Sequence, residues 1–399
     1  MRDLVIFEKQ LNKENNGYIM NKKNNTMSEG AIGRRSFMKR LGMAGAAATL
    51  PVGALLTSQT RANAFDMGRS NGRLSEGDAA ILRFLAAAEL IEADLWIQYA
   101  ELGGIGNNPP VEVGPNPTLN AYQSALSNLD GDGPQYITSN TLDEVSHATF
   151  LNAYLEFRGA EPVNFDEFRT LPGSTATGSS GIGRLTNLMH LFVDTSWFVR
   201  YRSATNPDLG ATFPQAIEIN DRTAIPITDA DFNDLNHIQV IANTAAFHFG
   251  YIEQGGSSLY AVMSQKASDP EVLEITLGIG GDEIAHFLEW VDFAGNGVQQ
   301  PVAPVTDSGL TFPDFFNNPP LQPASLVQPS LIFPVPCEFI SPKLPKVSII
   351  RPLSDRFGGA VATIASFTAD GLFTGQSQKF LKILQTLAEE ADAARRDVQ

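Results

Sequence analysis

In four long stretches of this chain, apolar residues recur every three to four positions, the spacing that gives a helix one buried face. The first stretch opens on Ser75-Glu76-Gly77-Asp78, a capping box, and runs to Leu102, where Gly103-Gly104 supplies a carboxyl cap. Its stripe is Leu85, Ala88, Leu95, Trp96, Tyr99 and Leu102, and two acids, Glu89 and Glu92, interrupt it. A short helix is predicted near 121–129, and Asp130-Gly131-Asp132-Gly133 reads as a turn, because its glycine and later acid are misplaced for a calcium loop. The second long helix is predicted from about Asn140 to Arg158, ending at Gly159, with Glu144, His147, Ala148, Leu151 and Leu155 on one side. A crossover of roughly 75 residues follows, too long for a bare loop, so a further helix is predicted over Arg184 to Arg202.

The third stretch runs from about Asp231 to Lys266 and contains Gly255-Gly256, at a cost of about 1 kcal/mol per glycine relative to alanine. A close backbone approach or a local bulge must offset that cost. The fourth begins with Asp269 as cap and Pro270 in its first turn. It carries Ile275, Ile279, Glu283, His286, Phe287 and Trp290, and closes at Gly295-Asn296-Gly297. Residues 298–352 are Pro-rich and read as an extended wrap, with short apolar pieces at Ser330 to Phe333 and Val347 to Ile350. Two more helices are predicted over Phe357 to Phe367 and Gln376 to Arg396. The fold class is all-α, in three regions: 1–64, 65–297 and 298–399.

Composition narrows the function. A net charge of −16 argues against nucleic acid and against an anionic membrane surface, both of which need basic patches. Cys337 is the only cysteine, so no intramolecular disulfide forms, and sites built from several thiolates are excluded. Residues 33–64 resemble a bacterial twin-arginine export signal: Arg34 and Arg35, then a small-residue apolar run from Leu41 to Leu56, then Ala62-Asn63-Ala64 as cleavage site. That run is shorter than the roughly 20 residues a spanning helix needs, and Pro51 interrupts it. The expected partner is therefore the twin-arginine translocase, and the expected location periplasmic or extracellular. Since Arg2 to Asn25 fits no export signal, Met20 or Met27 is the expected start.

One pentapeptide occurs twice, Asp143-Glu144-Val145-Ser146-His147 and Asp282-Glu283-Ile284-Ala285-His286. Helix positions three apart share a face, so each pair offers one carboxylate and one imidazole to the same point. Glu92 precedes Tyr99 by seven residues, and Glu253 precedes Tyr260 by the same interval. Glu89 lies one turn before Glu92 on the same face and competes for its role. If the four helices form an antiparallel bundle, Glu92, Glu144, Glu253 and Glu283 point into an apolar interior, where isolated carboxylates take up protons. Two divalent cations would neutralise four carboxylates, with His147 and His286 adding one nitrogen each. Such hard donors suit iron or manganese.

A Glu from each of two helices and a Glu-x-x-His from each of the other two is the ligand set of ferritin-like carboxylate proteins. On these motifs, residues of about 78–295 resemble the ferritin-like superfamily, which includes bacterioferritin, rubrerythrin and manganese catalase. Glu253-Gln254-Gly255-Gly256-Ser257-Ser258-Leu259-Tyr260, with the export signal, is similar to exported, desiccation- or stress-associated ferritin-like proteins. The long crossover between helices 2 and 3, the carboxyl-terminal helices and the export signal set the chain apart from cage-forming storage ferritins.

The resemblance implies a ferritin-like four-helix bundle with a dinuclear iron or manganese centre, in which Glu144 and Glu283 bridge the metals and Glu92 and Glu253 bind terminally. It also implies that Asp143 and Asp282 each accept a hydrogen bond from the opposite ligand histidine and fix its tautomer. The implied activity is redox chemistry with oxygen or peroxide, as an oxidase or ferroxidase. The alternatives are manganese catalase-like peroxide dismutation and a non-catalytic metal-binding or stress-protective protein; assembly into a homo-oligomer stays open. Tyr99 and Tyr260 read first as core packing, with a place beside the metal ligands, as a redox-active group or a hydrogen-bond partner of a ligand, as the alternative; His190, His237 and His248 read as ordinary structural or surface residues.

Overall fold

Caps written into the sequence fix where the helices begin. In the computed structural model, which describes residues 72–104, 120–129, 131, 133–198, 215–293, 304–314, 341, 343–347 and 359–397, helix α1 spans Glu76–Gly103. The Ser75 hydroxyl accepts the Asp78 N–H at 3.0 Å, satisfying one of the unpaired donors of the first turn. The Asp78 carboxylate in turn accepts the Ser268 and Asp269 amides, tying the start of α1 to the turn between the third and fourth helices. The export signal, Gly295-Asn296-Gly297, Ser330 to Phe333 and Cys337 lie outside the described residues.

Helix α2 spans Gly133–Phe157, beginning about two turns before the predicted Asn140. Pro134 in its first turn is the signal for that earlier start. The helix ends at Gly159, whose φ of 70° is the left-handed conformation that glycine adopts without strain. Helix α3 spans Leu235–Lys266 behind Asp234, whose side chain accepts the Asn236 amide, and a 3₁₀ turn over 229–233 precedes it. Helix α4 spans Pro270–Phe293, with Asp269 accepting the Glu271 amide at 2.8 Å. Helices α5, Ala360–Ala369, and α6, Gln378–Ala393, complete a described structure that is mostly helical, with little strand.

Helix α1 packs along α2 and α3 along α4, while further contacts join α1 to α3 and α2 to α4. Between them lies an aromatic core. Trp96 stacks on Trp290 at 5.3 Å between ring centres, with Phe249 against both. Burying each such ring contributes about 1.5–3 kcal/mol relative to leaving it exposed. Helix α6 packs against α1, and a hairpin of β1, Val305–Asp307, and β2, Leu310–Phe312, covers part of α3. Among the described residues no helix is long and apolar enough to cross a membrane.

The crossover corrects one prediction. Over 184–194 the chain is not helical, and among the described residues of the predicted stretch helical backbone appears only at 196–198. Leu191, Val193 and Thr195 are buried, while Phe192 is 47% exposed, the period-two pattern of a strand. Backbone bonds from Leu191 to Arg222 and from Val193 to Ile219 claim the N–H groups a helix would need. Two more amides, those of Leu185 and Thr186, donate to the buried carboxylate of Asp94 on α1, which also binds Arg169 at 2.6 Å.

Candidate metal centre

Helices α1 to α4 each send acids into the apolar interior. Glu89, Glu92, Glu144, Glu253 and Glu283 are all at most 2% exposed, and His147 and His286 are buried beside them. Two groups share Glu144. In one, donor atoms of Glu89, Glu144, His147 and Glu283 lie within 4.8 Å of one another; in the other, those of Glu144, Glu253 and His286 do. His147 Nδ1 is 3.3 Å from Glu144 Oε2, 3.5 Å from Glu89 Oε2 and 3.9 Å from Glu283 Oε1. His286 Nδ1 is 3.2 Å from Glu144 Oε1 and 3.3 Å from Glu253 Oε2.

Each imidazole's other nitrogen faces the opposite helix. His147 Nε2 lies 3.2 Å from Asp282, and His286 Nε2 lies 3.3 Å from Asp143. This reciprocal pairing holds both rings with Nδ1 turned inward. Asp143 and Asp282 are partly exposed, so the cluster meets solvent at that end.

Of the two acids that interrupt the α1 stripe, Glu89 is the one beside His147, and Tyr260 donates a short hydrogen bond to it. Glu92 is buried in the same cluster, near enough to feel the charges of Glu89, Glu144 and Glu253, but belongs to neither group of donors. Tyr99 is not at the cluster; its hydroxyl meets His248. His190 and His237 stand apart, paired with Asp221 and Asp307.

Two residues outside the predicted set complete the surroundings. Asn140 donates through Nδ2 to Glu144 at 2.9 Å and to Glu253 at 3.1 Å. Its place one turn before Glu144, a polar residue on the same face, is the signal that marks it. Gly256 resolves the glycine pair in α3: a Cβ there would overlap the Glu283 carboxylate, whereas one at Gly255 would meet open space. The backbone approach is thus close at Gly256 alone.

Burial, reinforced by neighbouring carboxylates, pushes Glu144 up to about 8 and holds Glu92 and Glu283 well above the usual carboxylate range. Desolvation opposes charge on His147, but the neighbouring carboxylates of Glu144 and Glu89 win and push it up to about 11. Even so, Glu89 Oε2, Glu253 Oε2, both Glu283 oxygens and His286 Nδ1 are buried without a hydrogen-bond partner. A buried unpaired polar group costs about 1–3 kcal/mol, more when charged. Carboxylate and imidazole atoms so arranged fit a cation, which supplies the missing partner and the missing charge. The cluster could hold a metal ion. No protein-family model matches this chain, and neither a curated protein nor a solved structure does.

Proposed function

We propose that α1 to α4 form a ferritin-like four-helix bundle holding a dinuclear iron or manganese centre in an exported protein. The observation that carries this reading is two groups of buried oxygen and nitrogen donors, the atoms of each within 4.8 Å of one another, in which Glu89 Oε2, Glu253 Oε2, both Glu283 oxygens and His286 Nδ1 have no hydrogen-bond partner. Glu89, Glu144, His147 and Glu283 would hold one cation; Glu144, Glu253 and His286 would hold the other. When bound, such a pair supplies one-electron redox steps and Lewis acidity toward oxygen or peroxide.

The chain's own contribution is positioning. Asp282 and Asp143 fix the tautomer and tilt of His147 and His286, Asn140 steadies Glu144 and Glu253, and Tyr260 holds Glu89. Gly256 leaves room for Glu283. The apolar wall of Trp96, Phe249 and Trp290 keeps one end dry, and the partly exposed aspartates leave the other open to small molecules. Export by the twin-arginine route, which carries proteins already folded, suits a metal loaded before translocation.

Elemental analysis of the mature, natively exported protein tests the reading. About two iron or manganese ions per chain are expected; a metal-free protein of undiminished stability would overturn it. In loaded protein, oxygen uptake with ferrous iron identifies a ferroxidase, and oxygen release from peroxide identifies the catalase-like alternative.

A further inference from the structure

Asn140 is fully buried on α2, and each polar atom of its side-chain amide is committed. Nδ2 donates to Glu144 Oε1 at 2.9 Å and to Glu253 Oε1 at 3.1 Å, while Oδ1 accepts the Trp290 Nε1–H at 2.7 Å. The two ends of an amide are alike in shape, so its partners decide which way it lies. Two carboxylates on one side and an indole N–H on the other allow a single orientation, since the reverse would set oxygen against oxygen and N–H against N–H. Leucine has a similar volume and no polar atoms to desolvate, so packing alone does not call for an amide here.

Both donations fall on particular oxygens. Glu144 Oε2 lies 3.3 Å from His147 Nδ1, and Glu144 Oε1 lies 3.2 Å from His286 Nδ1. Glu144 therefore offers one oxygen to each group of donors, and Asn140 binds the one that faces Glu253 and His286. At Glu253 it takes Oε1, which leaves Oε2, 3.3 Å from His286 Nδ1 and without a hydrogen-bond partner, as the free oxygen. Both N–H groups thus act on the second group, Glu144, Glu253 and His286. The doubled pentapeptide does not carry this feature twice: the position four before Glu283 is Ile279, so the repeat that holds for the ligands is broken here.

We propose that Asn140 is a positioning residue that sets the redox poise of the second cation, limiting Glu253 to one free oxygen and favouring the divalent state. The proposal rests on the metal reading above. A carboxylate that accepts an N–H bond keeps more of its negative charge on its oxygens and donates less of it to a cation. A trivalent ion loses more by this than a divalent one, because its attraction to the same oxygens is greater. The potential of the cation is therefore raised. Trp290 strengthens the effect, since an N–H donated to the amide oxygen polarises the amide toward its own N–H groups. The consequence is a centre that rests divalent and is a stronger oxidant once oxidised.

The test is Mössbauer spectroscopy of full-length protein loaded with iron, assayed for metal and poised at fixed potentials, wild type beside Asn140→Leu. At the wild-type midpoint the ferric-to-ferrous ratio of one iron should rise at least tenfold in the variant, a fall of about 59 mV for a one-electron couple. Iron content and helicity should stay unchanged. A structural role alone would lower iron content or stability without moving that ratio. Asn140→Ser, polar but too short to reach both acids, is the second variant and should shift the ratio the same way. An unchanged ratio in a variant that keeps its iron overturns the proposal and leaves the metal centre standing. Loss of iron from both variants does the same, because the amide would then build the site and not tune it. Wild type that binds no metal overturns both readings.

Discussion

At the scale of single residues, the cluster is set by atoms that share one small space. Glu89 and Glu92 occupy the same face of α1, and only the placement of α2 decides between them: Glu89 lies 3.5 Å from His147, and Glu92 belongs to neither donor group. On the proposed two-cation reading, Glu89→Gln should therefore lose at least one cation and Glu92→Gln should lose none, by metal assay of the purified variants. Equal loss in the two would undo the assignment of Glu89. The adjacent glycines give a sharper contrast. Gly255→Ala meets nothing within 4 Å and should raise stability by about 0.5–1 kcal/mol, read from the denaturant midpoint, because alanine is the better helix former. Gly256→Ala drives a methyl group into the Glu283 carboxylate and should abolish metal binding. Similar behaviour of the two alanines would mean that Glu283 does not need that space.

At the scale of elements, what could be read in the sequence was whatever a single helix decides by itself. Caps such as Ser75 and the Asp269-Pro270 pair are local signals, and helices begin at both. The two Glu-x-x-His pairs were legible for the same reason, since spacing within one helix puts both side chains on one face. The crossover was not legible, because its backbone partners are distant: Asp94 lies about ninety residues before the amides it binds. An apolar count over 184–202 has no means of registering an acid in α1. That dependence makes Asp94 a test of the element. Asp94→Ala would strand two buried amides, the Thr186 hydroxyl and the Arg169 guanidinium. Removing one partner of such a buried pair costs about 3–5 kcal/mol. Chemical denaturation should show a loss of that order, and a loss under about 1 kcal/mol would mean that water replaces the carboxylate without penalty.

At the scale of the whole molecule, the cluster couples folding to protons, and the proposed metal centre would join that coupling. Glu144 is pushed by burial, then by Glu253 and Glu89, from 4.5 up to about 8, and His147 by its carboxylate partners, against desolvation, from 6.5 up to about 11. Both shifts favour the protonated form in the folded chain, so without metal the folded state binds more protons than the unfolded one. Stability from these groups is fully present below their unfolded values and is lost as pH rises toward the folded ones. Cations require the unprotonated donors, so their binding strengthens over the same range and releases protons. The melting temperature of metal-free protein, taken relative to a Glu144→Gln, Glu283→Gln variant that removes two of the acids, should therefore fall between 4.5 and about 8. The gap between metal-loaded and metal-free wild type should widen over that window, since bound ligand stabilises by a term that grows as its dissociation constant falls. Differential scanning calorimetry of all three samples reads both trends. A gap that stays constant with pH would mean that protons and metal do not compete for these side chains, and the cluster would then be held together without a cation.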